Sequence, residues 1–328
     1  MLDLVDSHGL VCGYRVDASG DMSEVEWSDM DAALAADDSL VWLHFDQADA
    51  RARDWISACS HVPAAAKAVL LGADAHMRIE AAGSGLAGVV GDLHHEFSQK
   101  SDQLDVLRLY LDNRCLISVR RKPLAGVEKL REALGEGLKV DRPIALVTQF
   151  LHHVTDTLGD LILELTENVD TVEEDVLEER GGRPGEELGR LRRMAARLRR
   201  HMVPQQHALL GLLSRLPHWI EEQDAAKLRT AIERLGALGH DLDLVQERAR
   251  LLQEQASARL MEATNRNLYI LSIVTTIFLP MSLITGLFGM NLGGLPAQQD
   301  PLGFWYGIGL MLITGVGTLV LLRRGRML

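Results

Sequence analysis

The chain has 328 residues, 47% of them apolar, and a formal net charge of −12. That apolar share suits a folded core and excludes disorder as the default, while the acidic balance excludes general nucleic-acid binding, which rests on Lys and Arg meeting phosphate. The three cysteines, Cys12, Cys59 and Cys115, are far apart with no CxxC spacing, so neither a disulfide framework nor a thiolate zinc site is suggested, and buried, inert thiols are expected.

Residues 1–141 mix short strand and helix signals. Residues 9–16 and 40–45 read as strands, and 104–111 with 115–120 read as a hairpin turning at Asp112-Asn113. Ser28-Asp29 marks a helix start, and 63–71 reads as a helix. An α/β sandwich is the expected class for this part. The opening MLDLVDSHGL lacks the basic start and apolar run of a signal peptide, so this domain is expected in the cytoplasm. Among the twelve histidines, His94-His95 and His152-His153 are adjacent pairs. Neighbouring residues on a strand or helix point apart, so neither pair chelates a metal alone; both pairs are candidates for a regulatory metal site.

A long-helix stalk is expected over 142–267. Asp141, with Pro143 at the first helical position, opens a helix with Leu146, Phe150, Val154, Leu158, Leu161, Leu165, Val169, Val172 and Val176 at steps of three and four. It ends in an acidic run, Glu164, Glu167, Asp170, Glu173, Glu174, Asp175, Glu178 and Glu179, in which Glu174 and Glu178 are further candidate metal ligands. After a Gly-Gly-Arg-Pro-Gly turn, the next helix carries Arg190, Arg192, Arg193, Arg197, Arg199 and Arg200. An acidic arm folded on a basic arm predicts a charge-neutralised antiparallel hairpin, with concentration of cations by the acidic arm as the other reading. From about Ile220 the apolar pattern Leu228, Ile232, Leu235, Leu238, Leu242, Val245, Leu252, Leu260 runs on with no Gly or Pro between Asp241 and Leu279. One continuous helix, on the order of 100 Å at 1.5 Å per residue, is therefore expected to pass from stalk to membrane and to carry a cytoplasmic event to a gate.

Residues 268–288, LYILSIVTTIFLPMSLITGLF, carry no charge and are long enough to span a bilayer core. Residues 302–322, LGFWYGIGLMLITGVGTLVLL, repeat that property, with Phe304, Trp305 and Tyr306 placed as an interfacial belt. The basic tail, 323–328, holds Arg323, Arg324 and Arg326, whereas the loop 289–301 holds no Lys or Arg and one acid, Asp300. The positive-inside rule then predicts both termini in the cytoplasm and only the loop outside.

The first span ends in Gly289-Met290-Asn291, and here the chain resembles the CorA/ZntB family of divalent metal-ion transporters. The preceding IFLPMSLITGLF, the two-span layout and the basic tail fall where that family has them. The resemblance covers the whole chain in architecture and residues 265–291 in detail. It implies a homopentamer in the inner membrane, with an α/β cytoplasmic domain, a helical stalk and two C-terminal membrane helices forming a funnel. The continuation Leu-Gly-Gly-Leu-Pro, and LVWLHFDQADARARDWI over 40–56, look like the zinc branch, in which uptake is linked to protons. Zn2+ is the expected cargo; Mg2+, Co2+, Ni2+ and Cd2+ are the alternatives, and no cofactor is implied.

Back from Asn291, Gly286 lies five positions away, and Ser282, Leu279, Thr275, Leu271, Leu268 and Asn265 follow it at steps of three and four, a stripe alternating hydroxyl or amide groups with aliphatic ones. Because two helices cannot enclose a water-filled path, several copies must surround one. Neutral oxygens suit a hydrated ion: Asn291 offers a side-chain carbonyl and Gly289 leaves backbone carbonyls open, while Leu268, Leu271 and Leu279 would form constrictions. Thr275 and Ser282 would otherwise bond back to their own helix, and Gly286 would allow tight packing. Pro280 is a hinge or a feature of shape. Neither span contains an acidic, histidine or cysteine side chain, so no proton carrier is identified there; Asp300 is the nearby acid. A membrane-anchored sensor or scaffold is the reading from another class. No phosphate-binding loop, HExxH or nucleophile motif points to an enzyme.

Overall fold

A computed structural model describes residues 9–36, 38–93, 104–178, 184–290 and 302–324. All four expected strands appear, as β1 (Leu10–Val16), β3 (Leu40–Asp46), β6 (Leu104–Leu111) and β7 (Cys115–Arg120), with the short β2 (Met22–Glu24) between the first two. A seven-stranded sheet has the order β2-β1-β3-β7-β6-β5-β4, completed by β4 (Arg78–Ala82) and β5 (Gly85–Leu93). All neighbours are antiparallel except β3 and β7, which run parallel from Val41↔Cys115 to Asp46↔Arg120. The parallel pair forces a long crossover, which is where two helices and the β4–β6 meander are inserted.

Helices cover both faces, so β3 and β7 are buried almost throughout. On one face Val41, Leu43 and Phe45 of β3 and Cys115, Ile117 and Val119 of β7 pack with α1 (Met30–Ala35), α2 (Ala50–Ala58) and α3 (Ala64–Leu71). The residues between them point the other way. There Ser118 Oγ accepts from Trp42 Nε1 and meets His44 Nδ1, each at 2.8 Å. Full burial holds the His44 imidazole well below its ordinary range, so it is neutral.

On this second face α4 (Ala125–Gly135) and α5 (Pro143–Leu177) pack closely, because a Cβ on Gly126 would lie 2.8 Å from Val154 and 3.0 Å from Phe150 and from Asp92. Asp92 substitutes for the cap that α4 lacks: its carboxylate accepts from the backbone N–H of Gly126 at 2.9 Å and of Leu93 at 2.7 Å. Burial pushes the Asp92 carboxyl up to about 7 from 3.8. Between those values the folded chain keeps a proton that the unfolded chain has lost, so this contribution to stability is complete below about pH 4 and lost as pH rises through about 7. In calorimetric scans from about pH 5 to about pH 8, Asp92→Asn is expected to flatten the fall in Tm relative to the unsubstituted chain. Parallel curves would refute this assignment.

Pro143 opens α5, and eight of the nine apolar positions expected on it are buried; Ile162 replaces Leu161, which is half-buried. The chain then forms α6 (Pro184–Leu213) and α7 (Glu222–Phe288), the expected continuous helix, 67 residues long. The first compact unit ends at Gln253 within α7, and the second runs from Glu254. In the first unit α7 is a third partner that the charge pattern of the two arms does not reveal. Arg248 of α7 pairs with Asp170 at 2.7 Å and with Glu173 at 2.5 Å, Arg234 pairs with Asp156 at 2.7 Å, and Arg199 of α6 pairs with Asp243 of α7. These pairs are about half exposed, so they set register more than stability. The buried stripe of α7 ends at Leu252; Leu260, expected to continue it, is 70% exposed. In the second unit α7 is followed by α8 (Gly303–Arg324).

Candidate functional site

Among the described residues two helices, α7 and α8, are long and apolar enough to cross a membrane, and the most apolar windows of both lie outside any core, 0% and 6% buried. A soluble core helix would be covered. The sequence explains why α7 tolerates this: aliphatic side chains surround it through 268–288 with no charge to hold in water.

Packing in the second unit divides α7 lengthwise. Ile273, Ile277, Pro280, Met281 and Ile284 are half-buried and lie on the α8 side, where Met281 approaches Gly315 so closely that a Cβ there would stand 3.0 Å from its Cε. On α8 the partly covered residues include Met311, Thr314, Gly315 and Thr318, and the small Gly315 at the Met281 contact lets two backbones approach in a medium offering no hydrophobic drive between helices. At about 100° per residue, Leu268, Leu271, Thr275, Leu279, Ser282 and Gly286 lie roughly half a turn from that contact. All six, and Asn265 above them, are exposed. The expected stripe is thus gathered on the face that α8 leaves bare.

The Thr275 hydroxyl donates to the Leu271 carbonyl at 2.8 Å. Its proton is turned inward and its lone pairs remain outside, an arrangement that accepts hydrogen bonds from water. Pro280 lies within α7, which continues past it to Phe288. Gly289 closes the helix by donating its N–H to the Thr285 carbonyl at 2.9 Å, and Met290 follows, 46% exposed. Asn291 and Asp300 fall outside the described residues, as do His94, His95 and Arg326.

The other candidate metal ligands are not brought together. His153 is half-buried with Nε2 unpartnered, and burial lowers its pKa; His152 is half-buried beside it. Glu178 caps the end of α5 with its N–H on the Glu174 carbonyl. Among the described residues the one group of three metal-ligating side chains is His61, Asp112 and Cys115. Sequence spacing gave no sign of it, because two separate segments supply it, the connection that carries His61 and the β6–β7 turn.

The family profile described as "CorA-like Mg2+ transporter protein" matches residues 37–324. The chain belongs to the CorA-like family of transporters. Among family members, it is 32% identical over 315 residues to the divalent cation transporter CmaX of Pseudomonas aeruginosa, covering 95% of this chain and 94% of that one. It is 28% identical over 309 residues to the zinc transport protein ZntB of Pectobacterium carotovorum subsp. carotovorum, covering 94% and 93%. A solved structure of full-length CmaX superimposes with a TM-score of 0.83 at 30% identity, covering 98% of this chain and 99% of that one. The expected CorA-like architecture, an α/β domain followed by long helices and two apolar C-terminal helices, is therefore borne out, and membership in a transporter family agrees with the reading that the chain is not an enzyme.

Proposed function

We propose that the chain is one subunit of a homopentameric divalent-cation transporter of the inner membrane, with both termini in the cytoplasm and Zn2+ as its cargo. The observation that carries this reading is the bare stripe on α7, oxygen-bearing and aliphatic by turns, opposite the face that α8 occupies. Lipid rewards neither exposed hydroxyls nor an exposed Asn265. Copies arranged around an axis would cover the stripe and turn it into rings.

A path of neutral oxygens passes a cation with its hydration shell, since such donors repay little of the cost of stripping a divalent ion. Zinc is favoured by the Leu292-Gly293-Gly294 continuation after the tripeptide and by the similarity to a protein named for zinc transport. The similarity to CmaX, named for divalent cations in general, keeps Mg2+, Co2+, Ni2+ and Cd2+ as competitors.

Zinc flux into proteoliposomes, with magnesium as competitor and with or without an inward proton gradient, tests the reading. Zinc entry that excess magnesium leaves unaffected and that the gradient accelerates is expected. Magnesium entry indifferent to pH would replace the zinc assignment, and absence of flux for every cation would favour an anchored sensor.

A further inference from the structure

The first unit contains a cluster of metal-ligating groups, remote in sequence from the stripe on α7. Asp112 ends the β6 side of the β6–β7 turn. Its Oδ1 accepts the backbone N–H groups of Arg114 and Cys115, each at 2.9 Å, which fixes the carboxylate and orients Cys115 at the start of β7. Its Oδ2 faces His61 Nε2 at 2.8 Å and accepts from the Tyr110 hydroxyl at 3.3 Å. His61 comes from the connection between α2 and α3, just ahead of the Pro63 that precedes α3. One ligand atom from each of His61, Asp112 and Cys115 lies within 4.8 Å of the others.

We propose that His61, Asp112 and Cys115 form a binding site for a zinc-class divalent cation in the α/β domain, separate from any path through the membrane.

Three physical features favour this over a hydrogen-bond network alone. The donor set combines imidazole, carboxylate and thiolate, which suits zinc and discriminates against magnesium, a cation that takes oxygen ligands. In a tetrahedral zinc site such ligands stand about 3.3–3.6 Å apart, from zinc–ligand distances of about 2.0–2.3 Å. The His61–Asp112 pair therefore needs to open by only a few tenths of an ångström, and His61, 26% exposed, has room to do so. Charge also balances: one carboxylate and one thiolate neutralise a divalent ion at a place where Asp112 is 6% exposed and Cys115 is buried, a setting that penalises any net charge. On binding, the Cys115 thiol proton leaves to solvent, and the imidazole carries its remaining proton on Nδ1 so that Nε2 can coordinate.

Of the three, His61 is the ligand on the solvent side: with Cys59, Asp31, Trp55 and Ser60 it lines a cavity of 590 Å³, whereas Asp112 and Cys115 lie behind it. The hydrogen bonds to Oδ1 and from Tyr110 remain in place behind the ligand, the outer support that metal-binding carboxylates ordinarily have.

The test uses the full-length protein in detergent, stripped of metal with a chelator and titrated with Co2+ as a spectroscopic probe. A thiolate-to-cobalt charge-transfer band in the near ultraviolet is expected, displaced by Zn2+ and unaffected by Mg2+. Cys115→Ser should abolish it, His61→Ala should weaken cobalt binding by more than about tenfold, and Cys12→Ser should leave it unchanged. His61 lies outside the hydrophobic core, so its variant decides the matter even if Cys115→Ser fails to fold. No band at saturating cobalt, or an unshifted midpoint in His61→Ala, would overturn the proposal. Neutral oxygens of the stripe on α7 yield no thiolate band, so the result stands apart from the outcome of the flux assay.

Discussion

Asn291→Ala is expected to reduce cation uptake by reconstituted protein to background while leaving assembly and unit-1 melting unchanged. In sequence Asn291 stands three positions beyond Phe288, the last residue of α7, and the described members of the stripe that precedes it are all exposed. A hydrated divalent ion offers polarised water protons, and a side-chain carbonyl accepts them. One such bond to a charged partner contributes about 1.5–3 kcal/mol, and symmetry repeats each substitution in every copy. Losing only two bonds would cost about 3 kcal/mol, roughly a hundredfold in occupancy at the mouth. Ser282→Leu tests the same argument within the span by replacing a hydroxyl ring with an apolar one, and it should block flux by dewetting. Wild-type uptake by both variants would remove α7 as the path. Thr275→Ser, which keeps the oxygen, serves as the permissive control.

Phe45→Ala should be the most destabilising single change in the α/β domain, by about 3–5 kcal/mol. Phe45 is fully buried at the centre of the layer between the sheet and α2, with its ring 5.1 Å from Trp55 and 6.3 Å from Trp27, the latter edge-on. Removing it leaves a cavity that neither indole can fill from its fixed position, and it also loses two aromatic contacts. For a unit of this size the expected fall in Tm is on the order of 10 °C, followed by tryptophan fluorescence, since both flanking rings report directly. Leu163→Ala, at a position 60% exposed, should move Tm by no more than the effect of about 0.5 kcal/mol. Equal melting of the two variants would show that the core does not depend on this packing.

How far the sequence alone reached depended on how local each signal was. The stripe on α7 was legible because consecutive turns of one helix place Leu268, Leu271, Thr275, Leu279, Ser282 and Gly286 in line whatever the rest of the chain does. The β6–β7 hairpin was legible for a similar reason, its turn being written in Asp112-Asn113 between two apolar runs. Strands β4 and β5 and helices α2 and α4 were not. Residues 85–93, GLAGVVGDL, are glycine-rich, buried throughout and without alternation, and so carry no strand period.

By itself, then, the sequence determined that an α/β part is followed by long helices and two apolar helices, because helical period, strand alternation and uncharged runs are properties of neighbouring residues; that the α/β part and the stalk form one compact unit up to Gln253 was not legible in it. Tertiary structure alone decided which face of α7 stays bare, since that depends on where α8 packs. It also decided that α7 supplies ionic partners to both arms of the stalk, and that His61 meets Asp112 and Cys115 across 51 and 54 positions of chain. Contacts of that kind are set by the crossover between β3 and β7, and nothing in the spacing of the residues records them.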